Sequence, residues 1–252
     1  MSDRAPIPTD PELDDTVTGR QIKLAGIVSD VHDIFYGGAA ARAGGTGNEK
    51  DILAALDTAK PLILRLQEWH EYLPEHLHMT TIKKSCGFCA NGALHLAHIS
   101  VEIMLCRALV RITTSDTPAD LCRLLHLAAR RKVQDVVSLM ESLRPEHTAA
   151  FWGTAASYQV AEAGSLAGLL WATAGSADEI EWCASRIEDL RWALRARAAA
   201  ATFAREALYL IKRDVGGLGI LKMDTGIGKR CVPETNRANE SPGNVARDVS
   251  ER

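Results

Sequence analysis

The strongest constraint in this 252-residue chain is a pair of helical patterns with a hard stop between them. From Asp51 onward, Ile52, Leu53, Leu56, Ile63, Leu66 and Trp69 recur at helical spacing and predict one apolar face. The pattern ends at Leu73-Pro74, because proline cannot continue a helix and its ring disfavours helical geometry at the residue before it. A loop rich in Thr, Lys and Gly follows, and a second helix is expected from Asn91 or Gly92. It places Leu94, His98, Val101, Leu105 and Ala108 on one side. Leu96, Ile99, Ile103 and Leu109 lie around the rest, so burial is expected over most of its circumference.

The flanking segments repeat the 3.6-residue period. Residues 20–36 carry Ile22, Leu24, Val28, Val31 and Phe35 on an amphipathic helix ended by Gly37-Gly38, and residues 37–47 read as a flexible connection. Residues 117–143 form a helix with Thr117 as N-cap, Pro118 in the first turn, and Leu121, Leu124, Leu125, Ala128, Val133, Val136, Val137, Met140 and Leu143 on its core face. Residues 148–174 approach the roughly 20-residue length of a membrane span. Ser157, Gln159, Glu162 and Ser165 interrupt the run, and a carboxylate near its middle would be costly in lipid. A central helix buried in protein fits better, with Gly164 and Gly168 allowing close helix approach. Residues 177–212 read as one long helix, with Ile180, Ile187, Leu190, Leu194, Phe203, Leu208 and Ile211 inside and most arginines outside. No alternating run predicts a strand. The expected fold is all-α, an irregular multi-helix array over residues 19–213, between a disordered acidic, Pro-rich lead-in (1–18) and a disordered tail (214–252).

Composition removes several function classes. Net charge is −3, so there is no global electrostatic footprint for nucleic acid. Arg130-Arg131-Lys132 reads as a solvated helix face, and no signal peptide opens the chain. The 6 cysteines (Cys86, Cys89, Cys106, Cys122, Cys183, Cys231) are scattered, which suits free thiols in a reducing compartment. Cys86-Gly87-Phe88-Cys89 followed by His95 and His98 could be drawn as a zinc site, but structural zinc sites usually separate their ligand pairs by a longer finger. His70, His76 and His78, with Glu71 and Glu75, read as a solvated turn as readily as a surface metal patch. The Gly-rich run at residues 44–50 lacks the spacing of a phosphate loop. Ser85-Cys86 near His95 has no oxyanion loop. No catalytic, cofactor-binding or metal residue is therefore assigned, and no enzyme is expected.

The order of several weak motifs carries more. Leu66, Trp69, Leu73 and Pro74, then Leu94-His95-Leu96-Ala97, Leu105 and Arg107, resemble the middle homology region of fungal zinc-cluster transcription factors, the regulatory domain also found in xylanolytic activators. Leu143-Arg144-Pro145, Phe151-Trp152, Leu169-Leu170-Trp171 and Arg191-Trp192-Ala193-Leu194-Arg195 extend the resemblance over about residues 19–221. Arg107-Ala108 departs from the usual Arg-Pro. The nearest branch is the co-activators of nitrogen-catabolic genes. The six-cysteine zinc cluster that reads DNA is not among these residues. The resemblance implies a nuclear regulatory and interaction domain, truncated or without its finger. Its partners would be transcriptional regulators or co-activators, homo- or hetero-dimers included, with no specific DNA binding by this chain and no membrane. The alternative is a stand-alone helical small-molecule sensor or metal-binding protein using residues 86–98.

Overall fold

The computed structural model describes residues 16–37, 49–81, 87–114 and 116–216. They form α1 (Val17–Phe35), α2 (Glu49–Glu71), α3 (Asn91–Ile112), α4 (Ala119–Ser142), α5 (Pro145–Thr148), α6 (Ala155–Ala172), α7 (Ala177–Arg197) and α8 (Thr202–Gly216), with a 3-10 turn at Glu75–Leu77. No strand occurs among the described residues, and the all-α expectation holds. Most of the expected lead-in and tail lies outside the described residues. α1 nevertheless begins at Val17 and α8 continues to Gly216, so the helical region is slightly longer than 19–213. These helices fall in one compact unit, Met1–Leu221.

Two helices form the centre. α3 packs against α1, α2, α4 and α6, and α6 packs against α3, α4, α7 and α8. By length and composition α3 could cross a membrane, yet 61% of its most apolar window is buried inside the fold. Leu94, Leu96, Val101 and Ile103 are all sealed from solvent, which fits the burial expected around its circumference. A Leu or Ile side chain removed from water contributes about 1.5–3 kcal/mol, so a helix buried on several sides anchors the whole array.

The surrounding helices are placed by local signals. Thr16 Oγ1 accepts from the Gly19 amide at 3.0 Å and caps α1. At its other end a Cβ on Gly37 would lie 2.6 Å from the Asp33 carbonyl oxygen, so the close turn there admits only glycine. α2 buries Ile52, Ala59, Leu62, Leu66 and Trp69, and Leu73 just beyond its end. Leu53 and Ile63, expected on this face, lie on its flanks and are exposed, because the buried stripe follows steps of seven (52, 59, 66, 73) and they fall beside it. Pro61 sits inside α2 on the exposed side and withdraws one N–H from the helical ladder.

Three boundaries differ from the sequence reading. The α4 N-cap is Pro118, not Thr117; the buried Thr117 hydroxyl instead accepts from the Thr114 amide at 3.0 Å and closes the preceding turn. Residues 148–174 are not one helix. Trp152 turns inward to stack on Phe203, with ring centroids 4.0 Å apart, while Phe151 is 88% exposed, and α6 starts only at Ala155. The long helix expected over 177–212 breaks at residues 198–201, where the Ala198 and Ala201 amides donate to Arg195 O and Arg197 O. The break lets α8 fold back onto α6. Arg197 locks it by donating to Ala193 O, Glu141 O and Leu143 O, joining the ends of α7 and α4. Along α6, a Cβ on Gly164 would lie 3.1 Å from Ile211 Cγ1, so this glycine sets the closeness of α8.

Candidate functional site

The Leu-Pro stop and the start of α3 build a seam of rings. Trp69, 5% exposed at the end of α2, donates its indole N–H to Arg20 O of α1 at 3.0 Å. Its face stacks on His98 of α3, centroids 4.9 Å apart and 13° from parallel, and His70 stacks on the same imidazole at 5.3 Å. Three imidazoles aim Nε2 at main-chain oxygens: His98 at Leu66 O (3.2 Å), His95 at Leu77 O (3.1 Å) and His78 at Leu73 O (3.2 Å). A carbonyl only accepts, so each of these nitrogens carries the hydrogen and Nδ1 is left as acceptor. Asn91 Nδ2 donates to His76 O and His78 O, both at 3.0 Å. The segment after Pro74 is thus stitched to the first two turns of α3, explaining why that helix begins where it does.

His95 and His98 are pushed toward the neutral form. Burial lowers His95 to about 4. Burial also lowers His98, opposed by Glu102, whose Oε2 lies 3.8 Å from His98 Nδ1 and is itself held by Lys132 Nζ at 2.9 Å. Of the four residues drawn as a zinc site, Cys86 lies outside the described residues. Cys89 donates its backbone N–H to Glu146 O at 2.8 Å, while His95 and His98 spend Nε2 on carbonyls. No group of three His, Cys, Asp or Glu arranged to hold a metal occurs among the described residues. The Cys106 and Cys183 thiols are each pushed up to about 11 by burial, the opposite of what a nucleophilic cysteine needs. Trp69, expected on the apolar face of its helix, does pack on α3, whereas nothing in the sequence marked His70, His78 and Asn91 as joining His95 and His98 there.

A second feature went unread in the sequence. Along α6, between α3 and α8, a groove of about 310 Å³ brings together Arg107, Tyr158, Glu162, Ser165, Leu210 and Arg213. Its members come from three segments 40 or more residues apart, so no local spacing could reveal it.

No family model matches the chain, and no solved structure matches it. Over 190 residues the chain is 28% identical to Transcriptional activator protein DAL81 of Saccharomyces cerevisiae. The similarity covers 73% of this chain and 19% of that protein, so the chain spans about a fifth of its relative's length. That relative is, by its name, a fungal transcriptional activator.

Proposed function

We propose that the chain is the regulatory and interaction domain of a fungal nuclear transcription factor controlling RNA polymerase II transcription of catabolic genes. On this reading it is a middle homology domain of the nitrogen-catabolic co-activator branch and acts through other transcriptional regulators. The observation that carries the proposal is the similarity to a transcriptional activator over 190 residues, nearly the span of the helices from Val17 to Gly216. Physical chemistry supports it from two sides. Burial favours the neutral form of His95 and His98, whose Nε2 atoms are spent on carbonyls, and the Cys106 and Cys183 thiols are not activated. A net charge of −3 gives no attraction to phosphates, so contacts with other proteins are the expected mode of action.

The test has two arms. The full chain is tethered to a heterologous DNA-binding module upstream of a reporter in a fungal host, and transcripts of inducible catabolic genes are measured in a strain lacking the gene. A reporter output different from that of the module alone, with weakened induction in the deletion strain, is expected. Reporter output equal to the module alone and unchanged induction would overturn the proposal.

A further inference from the structure

We propose that the groove along α6 binds a small zwitterion of the free amino-acid class, with Arg107 holding its carboxylate and Glu162 its ammonium group. This inference is independent of the transcriptional reading.

The first observation is an unpaired couple of opposite charges. Arg107 stands on α3 and Glu162 on α6, both half-buried at the groove. They feel each other electrostatically, yet neither makes a hydrogen bond or ion pair with another described residue. Several other half-buried charges are paired. Lys132 meets Glu102 at 2.9 Å, Arg186 meets Asp189 at 2.6 Å, and Arg130 lies 3.8 Å from Glu179 while its guanidinium covers the Trp182 ring. Taking a charge partly out of water without a partner is unfavourable, and burial accordingly raises the Glu162 carboxyl. Two such groups facing one space are served together by a molecule carrying both complementary charges.

The rest of the groove fits that molecule. Its volume, about 310 Å³, lies at the lower end of the roughly 300–1,000 Å³ typical of small-molecule sites. Ala161 and Leu210 supply apolar wall for a short side chain, and the Tyr158 and Ser165 hydroxyls supply neutral polar contacts. At the α8 rim Arg213 is already engaged by Asp214 at 2.7 Å, which leaves Arg107 as the guanidinium with no carboxylate. Tyr36, close enough to Arg107 and Glu162 to feel both, spends its phenolic hydrogen on Met104 O at 2.7 Å and does not compete for the ligand. A lone anion would leave Glu162 unserved and a lone cation would leave Arg107 unserved, so a single-charge ligand answers only half of the site.

Thermal unfolding of the full chain tests the assignment, with L-alanine and L-leucine as probes and acetate and ethylamine at equal concentration as single-charge controls. The amino acids should raise the midpoint and bind measurably by calorimetry, and the controls should do neither. Because amino acids at high concentration stabilise proteins non-specifically, Glu162→Gln and Arg107→Gln carry the decision: each should abolish the binding heat and the extra shift. Unliganded Glu162→Gln should unfold no earlier than the parent, since it removes a poorly solvated charge. Arg107→Lys, which keeps charge but not the fork, should bind more weakly than the parent and better than Arg107→Gln. Equal shifts in parent and Glu162→Gln, absence of any binding heat, or full reproduction of the effect by ethylamine alone would each overturn the proposal.

Discussion

α2 and α8 both lie against a central helix, but they are fastened in opposite ways. α2 meets α3 and α1 through ring faces and through indole and imidazole N–H groups aimed at main-chain oxygens: Trp69 on Arg20, His98 on Leu66, His95 on Leu77. α8 meets α6 through small side chains and close backbones: Gly164 under Ile211, with Ala163, Ala204 and Ala207 fully buried nearby. The first seam depends on which atoms carry hydrogens. The second depends on volume. Chemistry that perturbs one should leave the other unmoved.

The largest effect expected is at the polar seam. Trp69→Ala removes a buried aromatic side chain and should lower unfolding stability by about 3–5 kcal/mol. Trp69→Phe keeps a ring over His98 but removes the indole bond to Arg20 O, which retains its helical donor, costing about 0.5–1.5 kcal/mol. Urea unfolding of both variants measures this; parent-like stability in both would mean that the rings do not hold α2.

At the small-residue seam, Gly164→Val should cost about 1–3 kcal/mol by overpacking. Trimming the facing side chain in Gly164→Val/Ile211→Val should recover part of the loss, giving a favourable coupling in a double-mutant cycle. No recovery would show that the strain lies elsewhere than at Ile211.

Arg197→Ala should cost about 1–2 kcal/mol, because its guanidinium joins α4 to α7 through three carbonyls at a partly exposed site. Arg197→Lys should recover only part of it, since a single ammonium cannot reach all three oxygens in the same fork.

The smallest effect near neutrality is on pH dependence. An unfolded imidazole takes up its proton at about 6.5, whereas folded His95 resists until about 4. The unfolded chain therefore binds more protons between these values. The His95 contribution to stability is complete above 6.5 and lost progressively as pH falls toward 4. His95→Gln should flatten that slope, while Gly164→Val should lower stability at every pH without changing it. Equal slopes in parent and His95→Gln would remove His95 from the account.

Much of the polar seam was legible in sequence, because a proline stop, a tryptophan one turn earlier and a buried helix beyond leave few ways to pack. The existence of α1, α3 and α4 follows from their periodicity, but Ile22 of α1 and Leu124 of α4, expected on the apolar faces, lie beside the buried stripes and are exposed. What failed did so for identifiable reasons. Residues 198–201 are all alanine, the best helix former, so nothing local marks the turn. Only the burial of Phe203, Ala207 and Ile211 against α6 dictates it. Phe151 and Trp152 look equivalent in the chain, yet only Trp152 can both stack on Phe203 and donate to His147 O at 2.8 Å. The groove depends on Arg107, Glu162 and Arg213 meeting from three helices, a juxtaposition that exists only after folding.

Pro61 gives α2 a fault line in time as well as in space. Its two halves do not share one set of anchors. The half after the proline carries Leu62, Leu66 and Trp69 into the core, while the half before it commits little beyond Ile52 and Ala59. With one rung of the ladder missing between them, the first half can open while the second stays closed. Amide hydrogens of residues 52–60 should then exchange with solvent through a low-energy local opening, and those of residues 65–70 only through the opening that also releases Trp69.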